Sequence, residues 1–252
     1  VDTTSLAALA PVRTPAPAAA PATATATLTL GTWLSTPLVG PDPGPIVHSS
    51  QVGGAVAFQT LVRDGVLRHL LDDVGVRAGA DVDPGMRAEA ALTRTRLPSA
   101  TIGGLGAAWI HAGGPVPDEL DVLVPPGHGA PAPRPGCSPR YVRLTQDERV
   151  VIDGVPVTSV LRTALDVATA PARGSRDGDG DGDGGGGDRA RTRDRERATD
   201  ALDRLVRVCG LDLDHVVHAL ELKQRWRGRT QAVALVHEAR RSGHRAAPAA
   251  VA

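Results

Sequence analysis

The segment from Val150 to Ala168, VVIDGVPVTSVLRTALDVA, constrains the fold more than any other part of the chain. Two β-branched runs, 150–152 and 155–157, flank Asp153 and Gly154, a dipeptide that accepts positive φ at both central positions of a type I′ turn. Thr158 and Ser159 then offer hydroxyls to the free N–H groups of a helix start. Leu161, Ala164, Leu165 and Ala168 fall on one face of that helix. The local reading is a tight hairpin feeding a capped helix. Arg162 and Asp166, four apart on it, form either a ligand-binding or catalytic dyad or an ion pair that pins the helix to its neighbours. The ion pair is the favoured reading, because such pairs are common on helices and need no ligand.

Only 2% of the 252 residues are aromatic, so the core must be built from Val, Leu and Ala, and modest stability is expected. The 28 basic and 28 acidic residues cancel, so any basic surface that meets nucleic acid must be local. Cys137 and Cys209 form no CxxC, which argues against a disulfide framework. No run approaches the roughly 20 apolar residues that span a bilayer, and Val1-Asp-Thr-Thr lacks a basic leader. A cytoplasmic protein with no membrane partner is expected.

Along the chain, residues 1–45 are rich in Ala, Pro and Thr and read as a disordered arm. From Ile46 the order is helix, turn, helix, hairpin. Ser49 and Ser50 cap a short helix, Gly53 and Gly54 break it, and Phe58, Leu61 and Val62 set the face of a second helix that ends at Gly65. Val66-Leu67 and Val74-Gly-Val76 are short strands around Asp72 and Asp73. This is the outline of a small winged helix-turn-helix over 46–80.

The remainder, 81–245, reads as an α/β domain with a few-stranded sheet and a C-terminal helical layer, giving an α+β chain overall. Asp83-Pro84 starts a helix running towards Leu97, and Thr101 starts another, with Ile102, Leu105, Ala108 and Trp109 on one face. Leu120–Val124 and Tyr141–Leu144 are expected strands, separated by a proline-rich loop from Pro125 to Pro139. An Asp/Gly insert at 174–190 is expected to be disordered. Beyond it come three helices: one through Ala198, Leu202, Leu205 and Cys209 closed by Gly210, one from near Asp214, and one through Ala232–Ala239 ending before Gly243. Residues 246–252 read as a disordered tail.

The chemistry-bearing patterns are weak. Asp177, Asp179, Asp181, Gly182 and Asp188 match EF-hand positions, but the repeat alone produces the match, and a solvated linker is favoured over a calcium site. His215 and His218 with Cys209 lack a fourth zinc ligand. Glu221-Leu-Lys223 has a nuclease-like form yet lies in a helical pattern. No cofactor, metal or enzymatic activity is expected. Lys223, Arg225, Arg227, Arg229, Arg240, Arg241 and Arg245 make a basic stretch for which a solvated face is favoured over phosphate contact. In the second helix of the winged motif Gln59, Thr60 and Arg63 are the polar residues that can face a major groove, with Arg68 following on the wing. Asp72 and Asp73 put negative charge where a wing usually meets phosphate.

Three motifs, LVRDGVL at 61–67, AAWIH at 107–111 and DGVPVTSVLRTALD at 153–166, resemble in order and spacing the AbiEi family of type IV antitoxins from abortive-infection systems. The similarity runs over about 46–243, with the Asp/Gly tract as an insertion. The resemblance implies a winged helix-turn-helix that binds promoter DNA of its own operon, acting as a homodimer, and an α/β domain that neutralises a cognate nucleotidyltransferase-like toxin. The nuclease domain that follows the last helix in several relatives is expected to be missing, because the chain stops at Ala252. Two other readings stand beside it. One is a diverged protein-interaction module that no longer binds DNA, and the other is an inactive relative of restriction-like nucleases.

Overall fold

In the computed structural model the described residues are 44–97, 100–127, 134–174, 185–222, 226 and 228–246. The arm at 1–45, except its last two residues, and the tail at 247–252 lie outside them, as do 175–184 of the Asp/Gly tract. The architecture is mixed α and β. A three-stranded antiparallel sheet is built from β1 (Ile46–His48), β2 (Leu67–Leu71) and β3 (Val74–Arg77) in the order β1-β3-β2. Between β1 and β2 the chain makes a 3₁₀ turn, Ser49–Val52, and helix α1, Ala55–Arg63. Gly53 and Gly54 separate the two at positive φ of 91° and 95°, the break expected from the sequence.

This small sheet is covered on both faces. Val47, Phe58 and Leu67 pack together on the α1 side. Ile46, Leu70, Val74 and Val76 enter a second cluster with Ala88 and Ala91 of helix α2, Pro84–Thr95. Asp83 caps α2, its side chain accepting from the Met86 amide at 2.8 Å. The same cluster continues into Ile102, Leu120, Val155 and Val157 of the larger sheet. The described residues accordingly form one compact unit.

The larger sheet has the order β6-β5-β4-β8-β7, from β4 (Thr101–Gly103), β5 (Leu120–Val124), β6 (Cys137–Tyr141), β7 (Arg149–Ile152) and β8 (Val155–Thr158). Two sequence expectations are corrected here. Thr101–Gly103 is the central strand, paired antiparallel with β5 and parallel with β8, and the helix α3 begins only at Gly104 (Gly104–Ala112). The second strand after Leu120–Val124 is Cys137–Tyr141 and not Tyr141–Leu144, running parallel to β5 at the sheet edge. An edge strand tolerates Pro139, which has no amide to donate.

The hairpin of β7 and β8 is as expected. Ile152 pairs with Val155, and Asp153 and Gly154 take φ of 45° and 81°. Helix α4, Val160–Gly174, follows at once, and Ser159 O accepts from the Thr163 amide at 2.7 Å. A one-sided face was expected for α4, but Leu161 is exposed while Arg162 through Thr169 are all buried. The reason is position: α4 packs with α3 and with α5 (Gly185–Cys209), α6 (Leu213–Leu222) and α7 (Arg229–Ala246). Ala164, Leu165, Leu202, Leu205, Val216, Leu220, Leu235 and Val236 form the core of this helical layer. Helix α3 joins the two cores, giving Trp109 and Ile110 to one and Ala108 to the other. The last part of the expected insert, 185–190, is already helical in α5, and α7 runs past Gly243 to Ala246.

Candidate nucleic-acid interface

Helix α1 presents one stripe outward. Phe58 is 1% exposed and Leu61 and Val62 are half-buried against the sheet, so the positions left on the far side are 56, 59, 60 and 63, spaced i, i+3, i+4, i+7. Val56 is 83% exposed, and Gln59 and Arg63 are exposed as well. Thr60 is half-buried and its hydroxyl donates to the Val56 carbonyl at 3.0 Å. Arg63 has a weak contact with Asp64, 3.4 Å between two exposed groups, which leaves its guanidinium able to turn towards a ligand. Gln59, Thr60 and Arg63 are thus brought together. Val56 escaped the sequence reading, although counting one turn back from Gln59 and Thr60 reaches it.

Arg68 is not part of that stripe. In β2 the side chains alternate, with Leu67 and His69 towards α1, where the His69 ring meets Phe58 edge-on at 6.3 Å between centroids. Arg68 therefore leaves from the opposite face of the small sheet. Its Nη2 donates to the Ala80 carbonyl at 2.8 Å.

The acidic pair at the hairpin tip is engaged within the protein. Asp72, at φ 50°, accepts two hydrogen bonds from Arg94 of α2 at 2.7 and 2.8 Å. That hydrogen bonding holds its carboxyl below the ordinary carboxylate value, against the opposing effect of burial. Asp73 accepts from the Ser49 hydroxyl at 2.9 Å, and its carbonyl accepts from the Ser49 amide. The tip thus locks onto α2 and the 3₁₀ turn.

Arg162 and Asp166 form a buried ion pair, 5% and 1% exposed, joined at 3.0 Å. Arg162 also meets Glu148 at 3.0 Å and stacks on Trp226 with its guanidinium carbon 5.0 Å from the ring centre. Arg140 of β6 lies 3.4 Å from Asp121 of β5 and 3.9 Å from Asp166. Burial alone would lower the Arg162 pKa, but the Asp166 hydrogen bond and the charges of Asp166 and Glu148 outweigh it and raise it. The network is an internally satisfied structural joint between sheet and helical layer. Asp121, Arg140 and Glu148 were invisible as members because they come from strands and a loop distant in sequence.

Among the described residues the other candidate sites do not assemble. His215 and His218 are exposed on α6, and among the described residues no group of His, Cys, Asp and Glu could hold a metal. Of the EF-hand-like set only Asp188 is described, exposed in the first turn of α5. Glu221 lies on α6, and Lys223 is outside the described residues, as are Arg225 and Arg227. Elsewhere in the basic stretch, Arg229 donates to the Glu221 carbonyl at 3.4 Å and Arg240 pairs with Asp214 at 2.8 Å, so part of its charge is used within the helical layer. No helix among the described residues is long and apolar enough to cross a membrane.

The chain matches no protein-family model and no curated protein. Among solved structures it is similar to the RV2827C protein from Mycobacterium tuberculosis, at 15% identity over 79% of this chain and 73% of that one, with a TM-score of 0.36.

Proposed function

We propose that this chain is a DNA-binding regulator of antitoxin type that reads promoter DNA through α1. The observation that carries the reading is the outward stripe of exposed Val56, Gln59 and Arg63 with half-buried Thr60, on a helix whose other side is anchored in a small sheet. A helix held this way offers side chains of the right kinds to base edges: a glutamine for adenine, an arginine for guanine and an apolar group for a thymine methyl. The order of strand, turn, helix and hairpin around α1 supports a winged helix-turn-helix. The antitoxin part rests on the three sequence motifs and implies a nucleotidyltransferase-like toxin as antagonist and a homodimer on DNA. No catalytic step is assigned to the chain.

Fluorescence anisotropy on duplexes covering the upstream region of its own gene, against scrambled duplexes, tests the reading at salt from about 50 to 200 mM. Specific binding is expected, and Arg63→Ala should weaken it by about 10- to 100-fold, the worth of one bidentate base contact. Equal binding to scrambled DNA at every salt concentration would refute it. A second reading is favoured by Val56, whose exposure also suits a protein partner. Under that reading the full-length chain with Arg63→Ala would bind DNA no differently and would still rescue growth against the toxin of a neighbouring gene.

A further inference from the structure

A cleft of about 540 Å³ opens between the β2–β3 hairpin and the C-terminal end of α3. It is lined by Trp109, Gly113 and Gly114 among others, and its charged groups are Arg68, Arg87 and Asp81. Both arginines are fixed by backbone carbonyls. Arg68 donates to Ala80 O, and Arg87 donates from Nε to Ile110 O at 3.0 Å and from Nη1 to Val82 O at 2.7 Å. Neither guanidinium has a carboxylate within 4.0 Å among the described residues, and Asp83 acts on Arg87 only through space. The Nη2 group of Arg87 has no hydrogen-bond partner there, yet no unpartnered side-chain nitrogen is buried, so this donor is reachable from solvent.

Two carbonyl-bonded guanidiniums on one cleft, neither with a carboxylate within 4.0 Å among the described residues, make a site for an anion. Carbonyl anchoring leaves both arginines without a direct ion pair, Asp83 offsets the Arg87 charge only in part, and burial makes that cation costly, a cost that a bound anion reduces. The planar fork of arginine fits the tetrahedral oxygens of phosphate better than a halide or a single carbonyl. We propose that this cleft binds a phosphoryl group, held by Arg68 and Arg87. The cleft volume lies within the range of small-molecule sites, so the phosphoryl can belong to a free nucleotide or to the backbone of a nucleic acid. The site is separate from the α1 stripe, since Arg68 and α1 lie on opposite faces of the small sheet.

Isothermal titration of the full chain with inorganic phosphate, against chloride at matched ionic strength, tests the proposal. Saturable binding is expected, weakened about tenfold in Arg68→Gln, whose exposed side chain can be changed without disturbing the core. Adenosine 5′-monophosphate binding at least about tenfold tighter than phosphate, and not displaced by a duplex, would identify a free nucleotide. Equal binding of the two, with displacement by a duplex, would identify a backbone phosphate. Absence of saturable phosphate binding, or wild-type affinity in Arg68→Gln, would overturn the proposal. The α1 reading would survive that result, because its own test uses Arg63.

Discussion

At the residue scale the least expected feature is how much charge the helical joint holds. Asp166 is 1% exposed and depends on Arg162, with Arg140 further off, so replacing it with Ala leaves a buried cation with one partner fewer. Urea denaturation of Asp166→Ala should show a loss of about 3–5 kcal/mol, the usual cost of breaking a buried pair from one side. A loss below about 1 kcal/mol, typical of an exposed pair, would show that the joint is dispensable. His111 supplies a pH dependence. Its Nε2 meets the Thr158 carbonyl at 2.7 Å, and burial lowers its pKa below 6.5, only partly opposed by that hydrogen bond. A depressed histidine binds protons more readily when unfolded. Its contribution is therefore fully present above pH 6.5 and is lost as pH falls through the folded value. Stability against urea measured between pH 7.5 and 5 should decline on the acid side, and His111→Gln should flatten the decline.

At the scale of elements, what was legible in the sequence is what is decided locally. The Asp153-Gly154 turn, the Asp83 cap and the Gly53-Gly54 break each depend on the conformational range or hydrogen-bonding of adjacent residues. Gly154→Ala should cost about 1–2 kcal/mol, because a side chain is strained at φ 81°. Thermal unfolding by circular dichroism would register it, and an unchanged midpoint would contradict the turn assignment. What was illegible depends on partners far along the chain. Thr101–Gly103 carries a helix-like pattern but becomes a strand because β5 and β8 hold its two sides. The one-sided face read for α4 failed for the same reason, as helices from later in the chain cover its polar side. The stripe of Gln59, Thr60 and Arg63 was legible because amphipathic spacing shows which side is left over. The direction of Arg68 was not, since it depends on which face of β2 α1 covers.

At the scale of the whole molecule, the core running from Ile46 to Val157 ties the small sheet to the large one through α2. The segments 46–80 and 81–245 share buried side chains across their boundary among the described residues. Hydrogen exchange of the full chain should therefore report similar opening free energies for β3 and for β8, as expected of one cooperative unit. Markedly faster exchange throughout β1, β2 and β3 would reveal an independently opening head.

The larger sheet has its own seam. Its halves, β6-β5-β4 and β8-β7, meet at one register pair, Ile102 with Val157, so the sheet is two ribbons stitched at a point. Those two side chains are 1% and 0% exposed. The stitch is accordingly held by packing more than by its ladder, and shortening Ile102 would loosen both ribbons while leaving nearly every backbone pairing in place.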